Sequence, residues 1–475
     1  MNTLSTFDTS VPLCVDLDGT LVKLDTLYQG IFHFIRKNPK SFFKLFKWMI
    51  KGRAVLKDEV MRRIEINAHL YPYNEELLAF LKARKDIGQK IILVTGANKR
   101  TAKYVADYLD IFDAIHASTN ETNLFGVIKR DFLQKTYKNY DYAGDSIHDL
   151  PIFKCARAKI FVNPQKRLQE HQSDLIIKSN NNFLKSIIRS IRLHQWLKNI
   201  LIFTPMLLAH QATNLRSVYD SLYAFIAFGL MASSVYIVND LLDITADQSH
   251  PKKCSRPFAA GDIQLVIGLY VIPILILGSC MICALLLPSN FILILLIYFI
   301  LANSYSLFFK QIAGVDVIIL TILYVLRILG GSSVTNDIIS EWFFAFAISL
   351  FLSLALAKRC AELVDLEINY EENITHRFRG YKTNHYKFIY NIGVVSSIVA
   401  IFILCGYIIS PTAQNLYSNP EFLWISIPII SYWLMRLWYF VKKVKLIDDP
   451  LQFAITDKQT YIIAFLIIGI IYLSV

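Results

Sequence analysis

Hydrophobic positions divide the chain into two parts with different patterns. Up to about residue 180, short apolar runs alternate with polar segments, as in a water-soluble domain. Beyond it, the apolar runs approach the ~20 residues that a helix needs to cross a bilayer. The candidate spans are 196–212, 218–240, 263–286, 288–309, 314–332, 342–362, 387–409, 421–440 and 459–475. The pattern therefore predicts a C-terminal all-α, multi-pass membrane domain of about nine transmembrane helices.

The N-terminal part contains four short apolar runs, each of them a strand candidate. They are Val11–Val15, Lys90–Val94, a stretch near Tyr140 and Ala158–Val162. Helical stretches separate them, and this alternation is typical of a Rossmann-like α/β domain with a parallel sheet. Ligand sites in such sheets lie beyond the carboxyl ends of the strands. Polar motifs follow the strand candidates, so we expect the site at that edge.

The distribution of positive charge indicates how the membrane domain is oriented. The formal net charge is +12, and basic membrane proteins carry such an excess on cytoplasmic loops, so we expect no nucleic-acid partner. Lys and Arg cluster at 252–256, 310, 358–387 and 436–458, whereas 284–290, 332–341 and 410–420 contain neither. We therefore predict a cell (inner) membrane protein whose N-terminal domain and active sites are cytoplasmic. Residues 1–9 lack a signal-peptide pattern, and the seven scattered Cys suit a reducing compartment.

The polar motifs of the N-terminal part suggest phosphate chemistry. Asp16 follows the first strand candidate and can attack phosphorus as a nucleophile. Asp18 lies two residues further on, beside a glycine, and can act as general acid and then general base. We also expect Thr95 and Lys129 to bind the phosphate, and Asp145 and Asp149 to complete a Mg²⁺ site.

These motifs, DxDGT from Asp16, a strand-terminal Thr, a downstream Lys and GDxxxD from Gly144, resemble those of the haloacid dehalogenase superfamily. The resemblance covers nearly the whole N-terminal part and implies a Mg²⁺-dependent phosphatase, with Asp18 counted beside Asp16, Asp145 and Asp149 at the metal. It also implies a helical cap at about 21–88. A lysine-rich amphipathic helix near 42–51 lies within that cap, and it could rest on anionic lipid or pack on the core. We favour packing on the core.

A second acidic motif follows the span 218–240. Asp240, Asp243 and Asp247 are spaced three and four apart, so a continuing helix places them on one face. Oxygen ligands of this kind suit Mg²⁺, whose shell is completed by water and substrate phosphate. Asn239 precedes them, and the cations that follow can hold phosphate oxygens. Those cations are Lys252, Lys253 and Arg256.

A further group of polar residues lies at the predicted cytoplasmic ends of other spans. Charges of both signs occur together there. This favours a substrate site over the alternative, in which the charged side chains only snorkel from the helix ends to the membrane surface. We select eight residues as substrate-binding candidates: Lys198, Tyr305, Lys310, Lys358, Arg359, Glu362, Arg377 and Tyr381.

The sequence NDxxDxxxDxxH from Asn239, followed by Arg-Pro, resembles the first aspartate-rich motif of the UbiA-type prenyltransferase superfamily. The second aspartate-rich motif of that superfamily is absent, and AKRxAEL from Ala357 is found instead. Together with RxHQWxKN, YSLxxK and DDPxxFAxTDK, this is similar to the polyprenyl-phosphate phosphoribosyltransferase branch. The resemblance implies a phosphoribosyl pyrophosphate donor, a polyprenyl phosphate acceptor and Mg²⁺, with Asp240 and Asp243 catalytic. Lys358, Arg359 and Arg377 are then candidates for the donor's 5-phosphate or the lipid phosphate.

We expect three segments: a hydrolase domain at 1–178, a linker with a juxtamembrane helix at 179–195, and a transferase domain at 196–475. Three functions remain open at this point. The first is phosphoribosyl transfer with a fused phosphatase, and the second is prenyl transfer from a prenyl diphosphate to an aromatic or other small acceptor. The third is a transporter or lipid-binding protein regulated by its soluble domain, although the polar residues gather at one membrane face. The oligomeric state is not predicted.

Overall fold

The computed structural model describes residues 9–179, 182–337, 339–369, 380–381, 385–443, 453 and 457–475. The chain forms two compact units. One comprises Met1–Leu193 and Tyr236–Ile274, and the other comprises His194–Val235 and Leu275–Val475. The first unit therefore includes the aspartate-rich segment as well as the N-terminal part. The predicted boundaries at 178/179 and 195/196 remain a prediction.

A six-stranded parallel sheet forms the centre of the first unit. Its order is β3-β2-β1-β4-β5-β6, as in a Rossmann-like fold. The strands are β1 (Leu13–Val15), β2 (Ile91–Asn98), β3 (Ala114–Ser118), β4 (Asp141–Gly144), β5 (Lys159–Val162) and β6 (Leu175–Ile177). The two central strands β1 and β4 are buried along their whole length, and β1 accordingly consists of apolar residues only. The predicted α/β fold is confirmed.

Helices connect the strands of the first unit. They are α1 (Thr26–Lys37), α2 (Phe42–Ile50), α3 (Arg53–Met61), α4 (Glu75–Asp86), α5 (Lys99–Leu109), α6 (Val127–Tyr137), α7 (Leu150–Phe153) and α8 (Phe183–Ile191). Asp25 ends the loop after β1 and caps α1, because its Oδ1 accepts from the backbone N–H groups of Leu27 and Tyr28 at 2.9 and 3.2 Å. This cap sets where α1 begins.

The apolar face of α2 does not pack on the core of the unit, so the packing that we favoured is wrong. Only Leu45 and Trp48 are buried on this helix. Five large apolar side chains are exposed instead: Phe42, Phe43, Phe46, Met49 and Ile50. The spacing correctly predicted an amphipathic helix. The side that packs on the neighbouring helices, however, is the one with Leu45 and Trp48.

The remaining helices are α9 (Thr204–Leu208), α10 (Leu215–Leu242), α11 (Ile244–Gln248), α12 (Leu265–Leu286), α13 (Ser289–Leu307), α14 (Val315–Thr335), α15 (Glu341–Asn369), α16 (Tyr386–Ile409), α17 (Pro411–Leu416), α18 (Ser426–Lys442) and α19 (Lys458–Ser474). Among the described residues, six are long and apolar enough to cross a membrane, namely α10, α12, α13, α14, α15 and α16. The chain is thus a multi-pass membrane protein by its helices, while the predicted count of nine is not confirmed.

The first predicted span, 196–212, is not one helix. Leu193–Phe203 forms 3-10 turns, and α9 starts afresh at Thr204 with Pro205 in its first turn. A proline has no N–H to donate to the preceding turn, so it suits a helix start and interrupts a continuous helix.

Small polar residues allow close helix packing in the second unit. The indole N–H of Trp438 on α18 donates to Ser353 and Ser397 at 3.2 and 2.9 Å. A Cβ at Gly393 on α16 would lie 2.1 Å from the Trp438 ring, so only glycine permits this approach. Such contacts are the usual means by which helices associate in lipid.

Candidate functional site

The first candidate site lies at the carboxyl ends of β1 and β4, where the sequence predicted it. Asp16 follows β1 directly, and its backbone N–H donates to Ala143 of β4 at 3.0 Å. Asp145 and Asp149 follow β4. One carboxylate oxygen from each of the three aspartates lies within 4.8 Å of the others. The fold therefore brings Asp16 next to two carboxylates, Asp145 and Asp149, that are distant from it in the chain.

This carboxylate group fits a hard divalent cation. Its ligands are oxygens only, and Asp149 Oδ2 is buried without a hydrogen-bond partner among the described residues. Burial, followed by the charges of Asp16 and Asp149, raises the pKa of Asp145 well above its usual value. Three like charges this close are unfavourable unless a cation lies among them. A Cβ at Gly19 would lie 2.5 Å from Asp145 Oδ2, so glycine also keeps this space open.

Lys129 of α6 completes the site. Its Nζ is 2.8 Å from Asp16 Oδ1, 2.6 Å from the Tyr142 hydroxyl and 4.0 Å from Asp149 Oδ1. Burial alone would lower the pKa of Lys129, but the charges of Asp16 and Asp149 outweigh it and raise that pKa above its usual value. Lys129 is therefore a permanent cation that orients the Asp16 carboxylate.

Asp18 has the properties of a general acid. Its Oδ1 accepts from the backbone N–H of Thr26 at 2.9 Å, at the start of α1. Burial, and then the nearby charge of Asp25, raise the pKa of Asp18 to about 7. A carboxyl that keeps its proton near neutral pH can donate it to a leaving oxygen. The metal group that the structure assembles from the described residues contains Asp16, Asp145 and Asp149 but not the Asp18 carboxylate.

The sequence analysis predicted one further residue of the first site, Thr95, and missed another, Lys57. Thr95 is buried in the second half of β2, and its hydroxyl accepts from the backbone N–H of Ala97 at 3.0 Å. Lys57 of α3 was missed. Its buried Nζ donates to Gly96 O at 2.5 Å and to Asn123 Oδ1 at 3.2 Å, and its charge acts on Asp16 and Asp18. A single Lys in the cap has no motif that could have identified it.

The aspartate-rich segment forms the second candidate site, and arginines pair with all three of its aspartates. Asp240 pairs with Arg192 and with Arg256, the latter at 3.2 Å. Arg256 also contacts Asp247 Oδ2 at 2.6 Å. Arg36 Nε lies 3.1 Å from Asp243 Oδ1. Burial raises the pKa of Asp247, while Arg256 lowers it in part.

Helix α1 contributes two more contacts to this segment. Gln29 Nε2 donates to Gln248 Oε1 at 2.7 Å, and His33 Nδ1 lies 2.9 Å from Thr245 Oγ1. The same helix has Asp18 and Asp25 at its N-terminus and Arg36 in its last turn. Within the first unit, one 12-residue helix therefore contacts both candidate sites. Arg36, Gln29 and His33 escaped the sequence analysis because nothing in the cap pattern predicts which element they face.

The donor set of the aspartate-rich segment suits a metal bound together with phosphate. In the described residues its three carboxylates are not as close together as those of the first site, since each is held by arginine. Asn239 is half-buried, and its carbonyl accepts from the Asp243 N–H at 2.9 Å. Lys253 is half-buried in the turn that leads to Arg256. Carboxylates for a cation and guanidinium groups for phosphate oxygens are thus side by side.

In the second unit, Arg359 is the centre of a buried polar network. It pairs with Asp316 and Glu362, and its Nη2 donates to the Tyr305 hydroxyl at 2.7 Å. The Tyr381 hydroxyl donates to Asp316 Oδ1 at 2.6 Å. Two predicted residues, Tyr305 and Glu362, thus contact Arg359, which is only 1% exposed. Asp316, which we had not chosen, links the predicted Tyr381 to the same arginine.

Four other residues of the second unit were predicted to bind substrate. Lys198, Lys310 and Lys358 are half-buried. Arg377 lies outside the described residues.

Comparisons with known proteins identify two families along the chain. Residues 200–456 match the UbiA prenyltransferase family, which is more than half of the chain. The chain belongs to the UbiA prenyltransferase family. Residues 13–154 match the haloacid dehalogenase-like hydrolases, so this UbiA family member also has a hydrolase domain. Both are enzyme families.

Three relatives illustrate the range of the similarity. The uncharacterized protein y4nM of Sinorhizobium fredii is 32% identical over 98% of this chain and 91% of its own length. The nodulation protein NoeC of Azorhizobium caulinodans is 30% identical over 59% of this chain and 91% of its own. A decaprenyl-phosphate phosphoribosyltransferase of Mycobacterium tuberculosis is 26% identical over 61% and 94%, respectively.

Proposed function

We propose that this UbiA family member transfers a phosphoribosyl group from phosphoribosyl pyrophosphate to a polyprenyl phosphate, and that its hydrolase domain removes the 5-phosphate from the product. The observation that carries the hydrolase half is the group formed by Asp16, Lys129, Asp145 and Asp149, with Asp18 beside it. The transferase half is supported by the aspartate–arginine segment and by the names of the relatives that align with about 60% of the chain.

The hydrolase residues can be assigned roles in a two-step reaction. The Asp16 carboxylate attacks the phosphorus of a phosphate monoester, and the bond to the alcohol oxygen breaks as Asp18 protonates that oxygen. Asp18 then accepts a proton from the water that hydrolyses the aspartyl-phosphate. Lys129 orients Asp16 throughout. Asp16, Asp145 and Asp149 would hold Mg²⁺, which supplies positive charge against the phosphate oxygens.

The transferase residues can be assigned in the same way. Loss of pyrophosphate from C1 of the donor leaves positive charge on the sugar, and a lipid phosphate oxygen attacks that carbon. Asn239, Asp240, Asp243 and Asp247 would hold Mg²⁺ at the pyrophosphate, where it offsets the growing negative charge. The ion pairs of Arg192, Arg256 and Arg36 with these aspartates support a role in which the arginines also bind phosphate oxygens of the substrate.

The test uses the purified full chain in lipid nanodiscs. We expect label from ribose-labelled phosphoribosyl pyrophosphate to enter the organic phase only when a polyprenyl phosphate and Mg²⁺ are present. The parallel reaction contains a labelled prenyl diphosphate and an aromatic acid. Transfer in that reaction, with none from the ribosyl donor, would show a prenyltransferase instead. Absence of both transfers, with intact phosphatase activity, would contradict the transferase half alone.

A further inference from the structure

Helix α2 presents an unusually apolar surface for a nine-residue helix of a hydrolase domain. Phe43 is 79% exposed and Ile50 86%, and Phe42, Phe46 and Met49 are between 41% and 56% exposed. The opposite side is packed, with the Trp48 ring 5.4 Å from that of Phe34. Water-soluble surfaces rarely concentrate large apolar side chains in this way, so such a patch indicates a binding surface.

The charges around this patch are of one sign. Lys40, Lys44, Lys47 and Lys51 are all exposed beside the apolar side chains. No Asp or Glu occurs between residues 38 and 57. A second copy of the same face would place lysines against lysines, which is unfavourable, whereas an anionic surface would attract them. Aromatic side chains with flanking lysines are the usual composition of helices that lie in a membrane interface.

The position of α2 within the first unit agrees with such a partner. Helix α1 ends at Lys37, and its Arg36 contacts Asp243, the residue that follows the apolar helix α10. Helix α10 is long and apolar enough to cross a membrane, so Asp243 lies at the end of an apolar span, and α2 begins six residues after Arg36. A stretch of six residues spans at most ~20 Å.

Helix α8 provides a second marker of the same boundary. It exposes Phe183, Leu184 and Ile188, and it is itself basic. Arg189 Nη2 donates to Ser255 O at 2.9 Å, in the same segment between α10 and α12. Helix α8 thus contacts the segment between α10 and α12, and α1, which leads into α2, contacts the same segment.

We propose that α2 is an interfacial helix, and that its Phe43–Ile50 face inserts among the headgroups of anionic lipids. The hydrolase domain is then held to the lipid surface by its own cap, in addition to the membrane helices that follow it. This proposal depends on the exposure of α2 and not on which lipid is the substrate.

The experiment measures lipid contact in the full chain reconstituted in nanodiscs. A fluorescent amino acid is incorporated at Phe43, at Ile50, or, as a matched control, at Ile87. Ile87 is 51% exposed and precedes β2, at the edge of the sheet opposite the catalytic aspartates. We expect brominated lipids to quench the fluorescence of the probe at Phe43 and at Ile50. Aqueous iodide should quench the probe at these two positions at least about twofold less than it quenches the probe at Ile87.

Other results would overturn the proposal. Iodide quenching at Phe43 and Ile50 equal to that at Ile87, without quenching by bromine, would place the face in water. Protection from both quenchers would mean that protein covers it, for example another copy of the chain. Both positions are exposed, so the probes are not expected to disturb folding.

A second comparison tests the role of charge. Phosphatidylglycerol should increase bromine quenching at Ile50 in the wild-type chain, but much less in the double variant Lys44→Gln/Lys47→Gln. Arg62→Gln serves as the control, because Arg62 is also exposed but lies outside α2. Quenching that does not respond to phosphatidylglycerol in the wild type would overturn the proposed anionic partner.

Discussion

At the scale of single residues, the two candidate sites use aspartates in opposite ways. Asp145 and Asp149 are gathered with Asp16 around a space that suits a cation. In the aspartate-rich segment, arginines pair with Asp240, Asp243 and Asp247 instead. Asp18 lies outside the carboxylate group of the first site, and burial raises its pKa to about 7, which suits proton transfer. The chemistry of each carboxylate therefore follows from its neighbours more than from its motif.

Asp18→Asn tests the general acid. An alkyl phosphate has a poor leaving group that needs a proton, so its hydrolysis should fall about 100-fold or more. A p-nitrophenyl ester leaves without that help and should lose less. In the wild type, the rate with the alkyl ester should decline as the pH rises above about 7, because Asp18 then loses its proton. Equal losses for the two esters, measured as kcat/KM, would contradict this role.

Asp243→Asn tests the transferase metal site. We expect lipid-linked product to fall more than about tenfold, because one ligand charge is lost from the proposed metal–pyrophosphate site. Hydrolysis of p-nitrophenyl phosphate by the same preparation should be unchanged. Asp220→Asn is the matched control, since Asp220 lies on α10 but pairs only weakly with Arg216, at 3.9 Å. Turnover close to that of wild type would exclude Asp243 as a ligand.

At the scale of elements, helix α1 was the least predictable part of the site. The strand ends could be located from the sequence because short apolar runs lead directly into Asp16 and Gly144-Asp145. The partners of Arg36 and Lys57 could not, because they depend on how the cap folds over distant segments. Likewise, the periodicity of α2 revealed an apolar face, but not whether protein covers it. Local patterns predict elements, while long-range packing decides their neighbours.

Arg36→Ala tests the contact between α1 and the aspartate-rich segment. Without Arg36, Asp243 loses one ion pair, and α11, which begins at the next residue, loses a contact that orients it. We expect kcat for transfer to fall about tenfold, with phosphatase activity retained, and Arg36→Lys to recover part of it. Lys37→Ala is the control, since Lys37 is half-exposed and lies 3.8 Å from Glu65. Equal loss in both variants would indicate general damage to α1.

At the scale of the whole molecule, the six long apolar helices were predictable from composition because lipid demands uniform hydrophobicity. The interrupted stretch around Pro205 was not recognised, since a hydrophobicity pattern hides a helix break. The asymmetry of Lys and Arg remains the basis for orientation. It predicts that both candidate sites face the cytoplasm.

A labelling experiment tests this orientation. Each variant has one introduced cysteine, at Asn336 or at Ser255, and reacts with an impermeant thiol reagent before and after permeabilisation. Asn336 should react in intact cells, because its loop lacks Lys and Arg, and Ser255 only afterwards. Exposed native Cys254 should likewise stay protected until the cells are opened. The reverse order would place both sites outside.

The presence of a transferase and a hydrolase domain in one chain leads to a final prediction about the transferase product. A phosphoribosyl lipid retains a 5-phosphate monoester, which suits the Asp16 site, and it cannot leave the membrane to reach a soluble enzyme. A phosphatase held at the same surface meets it at high effective concentration. Asp16→Asn membranes supplied with labelled phosphoribosyl pyrophosphate and acceptor lipid should therefore accumulate the phosphorylated lipid, whereas wild-type membranes should form ribosyl lipid. If both accumulate the same phosphorylated lipid, the hydrolase acts on another substrate, and the assignments of the separate sites still stand.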